Sequence, residues 1–74
     1  MHTGVVKRFD AAKGYGWIAQ DGDDTRDAFV HYSAICGDGY KTLTAGDRVE
    51  YEVRRGPKGL LAYAVRVLEP AEAA

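Results

Sequence analysis

The 74-residue sequence has little of what usually stabilises so short a chain, and each absence excludes a class of structure. A single cysteine excludes an internal disulfide framework. The two histidines and Cys36 lack the spacing of metal ligands, and the acidic segment 21–27 lacks the closing glutamate of a calcium loop. We therefore expect a single domain, without metal or cofactor, that depends on a regular fold or a partner.

Long apolar segments are also missing. The longest apolar run, Leu60–Val65, has six residues, and no basic start leads into an apolar stretch. These features predict no membrane association, no signal peptide and a cytoplasmic location. The net charge of −1 is low for a nucleic-acid-binding domain, but the charges are unevenly distributed. Residues 1–20 carry three cations and one carboxylate, so the chain can still present one basic face.

Helical periodicity is almost absent, whereas short β-rich runs separated by turn residues are frequent. Glycine- or aspartate-containing turns are predicted at 11–14, 21–27 and 56–59, and one helical turn at Ser33–Ile35 within a longer connection, 33–46. Five strands are predicted, at Thr3–Phe9, Tyr15–Gln20, Ala28–Tyr32, Arg48–Arg54 and Leu60–Leu68. Five short strands with one long connection favour an all-β fold, a small five-stranded antiparallel Greek-key barrel of the OB type. We expect this domain to cover residues 1–68, followed by a short polar C-terminal tail at 69–74.

The last two predicted strands differ in how clearly they divide into faces. Alternation places Val49, Tyr51 and Val53 on one face of the fourth strand. In the fifth strand Leu61, Tyr63, Val65 and Val67 share one parity, but the alanines between them weaken that assignment. A bulge there would change which residues point inward.

Large aromatic side chains alternate with smaller residues in the second and third predicted strands. If Ile18 and Val30 point into the barrel, then Tyr15, Trp17, Phe29 and His31 point outward. Exposed rings beside lysines are typical of a surface that stacks single-stranded bases, and we expect the glycines between them to leave room for flat bases. The alternative is a register shifted by one residue, which would place the rings in the core.

Several strings occur in the order found in one known family. KGYGWI resembles a ribonucleoprotein-type motif, and AFVHY, GVVKRFD, GYKTL and GPKG are similar to further segments of cold-shock proteins. The resemblance runs from about Thr3 to Leu68. It implies a bacterial-type cold-shock domain that binds single-stranded RNA and DNA with weak sequence preference. It also implies an RNA chaperone that regulates transcription or translation under stress.

The resemblance implies a set of nucleic-acid-binding residues. Tyr40 and Asp27 are weaker candidates. Arg8 stands where the family usually has tryptophan and Asp10 where it has asparagine; we expect Arg8 to stack or contact phosphate, and Asp10 to weaken binding. The implied binding residues are Lys7, Arg8, Phe9, Lys13, Tyr15, Trp17, Phe29, His31, Tyr32 and Lys58.

Two rival functions remain at this point. The same aromatic surface could bind a proline-rich peptide or a polymerase component. An enzyme is the weaker rival, because no nucleophile or second base is spaced to assist His31. We therefore predict a non-enzymatic binding module that acts as a monomer, with neither a membrane partner nor a small-molecule substrate.

Overall fold

A computed structural model describes residues 1–36, 42–57 and 59–71, except for the side chains of residues 23–25. The chain forms five strands and one 3-10 turn within these residues. The turn, Tyr32–Ala34, follows the third strand. The strands are β1 (His2–Asp10), β2 (Tyr15–Gln20), β3 (Asp23–His31), β4 (Arg48–Gly56) and β5 (Gly59–Glu69).

The strands close into a barrel in the order β1-β2-β3-β5-β4, with β4 also paired to β1. Four of the five pairings are antiparallel, and β3 pairs with β5 in parallel through Ala28–Leu60 and Phe29–Leu61. β3 and β5 are parallel because β4, which lies between them in sequence, pairs antiparallel with β5. The predicted all-β, five-stranded barrel of the OB type is confirmed.

The barrel interior is filled by apolar side chains from every strand. The largest fully buried side chains are Val6, Ile18, Val30, Val49, Tyr51 and Val65. Val53 is partly buried against this core, as the alternation in β4 predicted. No helix in the described part of the chain has the length and apolar character needed to span a membrane. The cytoplasmic location stays a prediction.

Two boundaries predicted around β3 are wrong. The acidic turn predicted at 21–27 is confined to Asp21 and Gly22, and β3 already begins at Asp23. The pairing of β2 with β3 is interrupted by a bulge, which lets polar residues remain within a strand. At the other end Tyr32 leaves β3 and starts the 3-10 turn, whose N-cap is His31.

The inward side of β5 also differs from the predicted parity. Val65 is buried, but Tyr63 and Val67 are exposed, and Ala62 is buried instead. Ala64 has a φ of 52°, and the register with β4 shifts beside it, so a bulge separates the two halves of the strand. The bulge considered as the alternative is therefore present. Ala62 faces the core before it and Val65 faces the core after it, so the two halves of β5 have opposite parity.

The C-terminal segment is tied to the barrel by one buried carboxylate. Asp47 accepts hydrogen bonds from the backbone N–H of Ala71 at 2.7 Å and of Thr44 at 2.9 Å. Its own carbonyl accepts from the N–H of Val6 at 2.9 Å. Asp47 thus connects the segment before β4, strand β1 and part of the predicted tail.

Candidate nucleic-acid interface

We define the aromatic face as Tyr15, Trp17, Phe29, His31 and Tyr32. Cross-strand pairing places Tyr15 opposite His31 and Trp17 opposite Phe29 on the outside of β2 and β3. The ring centroids of Tyr15 and Phe29 lie 5.5 Å apart, and those of Trp17 and Phe29 lie 5.2 Å apart in an edge-on arrangement. These rings therefore form one continuous surface.

The inner side of the same strands shows why the rings point outward. Ile18 and Val30 are completely buried in the barrel, so their neighbours in sequence must face the other way. The alternative register, with the rings in the core, is wrong. Tyr15, Trp17 and Phe29 remain half-buried because they pack against one another.

His31, the last residue of β3, and Tyr32, the first residue of the 3-10 turn, extend this surface. Their ring centroids are 4.5 Å apart. The Nδ1 atom of His31 accepts the Ser33 backbone N–H at 3.3 Å and lies 2.8 Å from the Ser33 hydroxyl oxygen. In the neutral ring the proton is therefore on Nε2, where it can donate to a ligand.

Two glycines near the rings serve chain packing rather than access for bases. Gly16 is buried, and a Cβ there would lie 2.7 Å from Phe9 Cα. Gly14 has a φ of +78°, and a Cβ would lie 2.9 Å from the ring of Tyr32. The expectation that the glycine between the rings leaves room for flat bases is therefore wrong, because Gly16 faces the barrel interior and allows β1 to approach β2. Gly14, before the rings, allows Tyr32 to approach the turn.

A bulge in β1 separates three of the predicted binding residues. Val6 pairs with Ile18 and Arg8 pairs with Trp17, so Lys7 is an additional residue between them. Arg8 consequently lies on the outer side beside Trp17. Phe9 lies on the side of Gly16 and packs against the core, so the structure does not bring it onto the aromatic face.

The cationic residues of β1 and the following turn border the aromatic face. Lys7 Nζ lies 3.1 Å from a carboxylate oxygen of Asp27, in a pair that is partly exposed. Lys13 and Arg8 line a depression of about 450 Å³ together with Tyr15 and Trp17. Phosphate approaching this edge would meet guanidinium and ammonium groups.

Asp10 directs its carboxylate into the turn after β1. Its Oδ1 accepts the backbone N–H groups of Ala12 at 3.0 Å and Lys13 at 3.1 Å. These two hydrogen bonds fix the turn, which holds Lys13 beside the rings. The weaker binding expected from Asp10 stays a prediction.

Other predicted or overlooked residues are placed as follows. Lys58 and Tyr40 lie outside the described residues. Sequence reasoning did not single out Arg26 and Arg55, although they line a depression adjoining Asp27. Only the position of Arg55 directly before a glycine turn could have drawn attention to it. Within the described residues, no three His, Cys, Asp or Glu side chains converge in a way that could hold a metal ion.

Comparison with known proteins agrees with this arrangement. Residues 2–68 match the model of the 'Cold-shock' DNA-binding domain. The chain is 58% identical over 66 residues to the cold shock-like protein CspA of Stigmatella aurantiaca, covering 89% of this chain and 96% of that protein. It is 56% identical over 62 residues to the major cold shock protein of Micrococcus luteus, covering 84% and 91%. With cold shock-like protein CspD of Vibrio cholerae the identity is 52% over 69 residues, covering 93% and 90%. The chain therefore belongs to the nucleic-acid-binding cold-shock domain family.

Proposed function

We propose that this protein binds single-stranded RNA and DNA with weak sequence preference and performs no bond chemistry. Bases stack on the aromatic face, and Lys7, Arg8 and Lys13 contact the phosphates between them, with Lys58 as a further predicted contact. The observation that carries the proposal is the continuous outward surface of Tyr15, Trp17 and Phe29 beside these cations. Each stacked base is expected to contribute about 1–3 kcal/mol.

Single strands are favoured over duplexes for a geometric reason. The rings present their stacking surfaces on a sheet, and only an unpaired base has both an open π face and the freedom to lie on them. A monomer that holds unpaired bases in this way would melt RNA secondary structure. We infer from this an RNA chaperone role, with regulation of transcription or translation under stress as its consequence.

The test is a titration of labelled single-stranded DNA, single-stranded RNA and duplex DNA at two salt concentrations. We expect both single strands to bind and the duplex to bind much more weakly. The log–log dependence on salt should have a slope near −0.7 for each phosphate neutralised. A proline-rich peptide is the control ligand; binding of that peptide with no binding of either single strand would overturn the proposal.

The chaperone role is tested with a labelled RNA hairpin. Addition of the protein should lower the melting temperature of the hairpin, because binding to the open strand shifts the equilibrium toward it. A protein that binds single strands but leaves hairpin melting unchanged at saturating concentration would contradict the chaperone role alone.

A further inference from the structure

A second basic depression, which we call the rim pocket, opens at the end of the barrel. Three neighbouring strands build it, since Ala28 of β3 pairs with Leu60 of β5, which in turn pairs with Arg55 of β4. Its volume of about 430 Å³ lies within the range of small-ligand sites. It is lined by Arg26, Asp27, Arg55, Gly56, Gly59 and Leu60.

Arg26 reaches the rim pocket because of the bulge in β3. Gln20 of β2 pairs with Asp23 of β3, but its neighbour Ala19 pairs with Asp27. One step along β2 therefore corresponds to four residues along β3. The intervening residues have no ladder partner on β2, and the Gln20 side-chain amide donates to the Arg26 carbonyl at 3.3 Å. Such bulges redirect side chains, and here the exposed Arg26 side chain lines the pocket.

The rim pocket is continuous with the surface beside the aromatic face. Asp27 lines both the rim pocket and the next depression, which Lys7, Arg8 and Trp17 also line. Arg8 and Trp17 in turn line the depression that contains Lys13. The surface beside Trp17 therefore adjoins the rim pocket at Asp27.

The charges of the rim pocket suit a phosphodiester. Asp27 would repel a phosphate, but Lys7 Nζ lies 3.1 Å from its carboxylate and offsets that charge. Arg26 and Arg55 then leave an excess of positive charge, and guanidinium groups match the geometry of phosphate oxygens. Because Gly56 and Gly59 have no side chains, the half-buried Leu60 stays accessible from the pocket.

We propose that the rim pocket binds the backbone phosphate of a nucleotide beyond those stacked on the aromatic face. Arg26 and Arg55 are its phosphate ligands, and Leu60 contacts the attached sugar or base. This inference rests on the proposed function and adds a dependence on strand length. Strands long enough to pass Asp27 bind more tightly than strands confined to the aromatic face.

The experiment measures the affinity of labelled oligothymidines of increasing length by fluorescence anisotropy. The parent protein is compared with Arg26→Gln/Arg55→Gln and with the control Arg54→Gln/Arg66→Gln. Both variants remove the same charge, but Arg54 and Arg66 are not among the described residues that line the rim pocket. Circular dichroism and thermal unfolding establish that all three proteins are folded.

For short strands we expect the two double variants to bind alike. Beyond a threshold length the parent and the control should gain affinity, whereas the rim-pocket variant should not. For these longer strands its log–log salt slope should be smaller by about 0.7 for each phosphate that the variant no longer neutralises.

Two other results would overturn the inference in distinguishable ways. If the parent binds short strands and both double variants change equally at every length, the rim pocket binds no phosphate and the proposed function stands. If the parent binds no single strand of any length, the rim-pocket inference and the proposed function both fail.

Discussion

The aromatic face and the seam where β1 closes against β4 both contain tyrosine rings, but the seam buries its ring, Tyr51, whereas the aromatic face leaves its rings partly exposed. At the seam, the Asp21 carboxylate accepts from the Thr3 hydroxyl at 2.7 Å and lies 2.6 Å from an Arg48 guanidinium nitrogen. The hydroxyl of the buried Tyr51 donates to the Thr3 carbonyl at 3.4 Å. On the aromatic face the rings pack edge-on or tilted and keep part of their surface exposed. Groups that stabilise the barrel have partners within the chain, whereas the aromatic face keeps contact surface available for a ligand.

Contacts at the seam also shift the pKa values of Asp21 and Tyr51. The hydrogen bond from Thr3 and the charge of Arg48 lower the pKa of Asp21 below its usual value. Burial, with a further contribution from the negative charge of Asp21, raises the pKa of Tyr51 to about 12. The seam thus favours a charged carboxylate on its surface and a neutral phenol in its interior.

The largest effect is expected from the buried tyrosine of the seam. Tyr51→Ala should lower the free energy of unfolding by about 3–5 kcal/mol, because it removes a large ring from a packed core. Tyr51→Phe keeps the ring and should lose only about 0.5–1.5 kcal/mol with the hydroxyl hydrogen bond. Urea denaturation measures both; equal losses for the two variants would contradict a packing role for the ring.

Removal of a ring from the aromatic face should affect binding instead of stability. Phe29→Ala or Trp17→Ala should each weaken single-strand binding by about 1–3 kcal/mol, the contribution of one stacked base. Quenching of Trp17, the only tryptophan, reports binding of the parent and of Phe29→Ala. Anisotropy of a labelled strand serves for Trp17→Ala.

The matched control is Tyr63→Ala, which removes an exposed ring of β5 that lies under the Arg54 guanidinium. Circular dichroism should change little in all three variants. Unfolding of Phe29→Ala and Trp17→Ala would show that these rings stabilise the barrel as Tyr51 does, and would remove the contrast between the two regions.

A smaller effect is expected where the chain departs from the family on the aromatic side. Arg8→Trp exchanges a charged contact beside Trp17 for a stacking surface, whose gain of about 1–3 kcal/mol is reduced by the removal of the charge. Thymidine-rich strands should bind more tightly at moderate salt, with less dependence on salt, as measured by anisotropy of the labelled strand. Weaker binding at every salt concentration would show that Arg8 itself contacts a phosphate or base.

The smallest effect concerns pH and the seam. Because the pKa of Asp21 is lower in the folded chain, its contribution to stability is present above the unfolded value of 3.8 and is lost as the pH falls through the folded value. Urea midpoints measured from neutral to acidic pH should therefore decline less in Asp21→Asn than in the parent. Identical pH profiles would show that the contacts with Thr3 and Arg48 do not couple to folding.

Alternation between large apolar and other residues was sufficient to predict the orientation of the aromatic face. Ile18 and Val30 are buried inside the barrel, so Trp17 and Phe29, their neighbours in sequence, were correctly placed outside. The same reasoning failed for β5 because nearly all of its first seven residues are apolar and no polar residue marks the outer side. The bulge at Ala64 depends on a positive φ, which an alanine does not signal.

Local sequence patterns could not predict contacts between residues that are far apart in the sequence. The bulge in β1 turns Phe9 toward the core while Arg8 stays beside Trp17, and nothing in the string KRF indicates it. The pair of Lys7 with Asp27 joins residues 20 positions apart in sequence and depends on the register of three strands. Sequence alone therefore predicted which rings lie on the outside of β2 and β3, but not that Lys7 already has a carboxylate partner.

The position of β5 between β3 and β4 has a consequence for synthesis of the chain. β5 is the last of the five strands in sequence, yet both of its neighbours in the barrel precede it. While the nascent chain ends before Gly59, β3 and β4 each have an unpaired edge, and the core lacks Ala62 and Val65. Edges of this kind pair readily with other chains. Protection of these edges from aggregation therefore begins only when β5 has emerged from the ribosome and pairs with both β3 and β4.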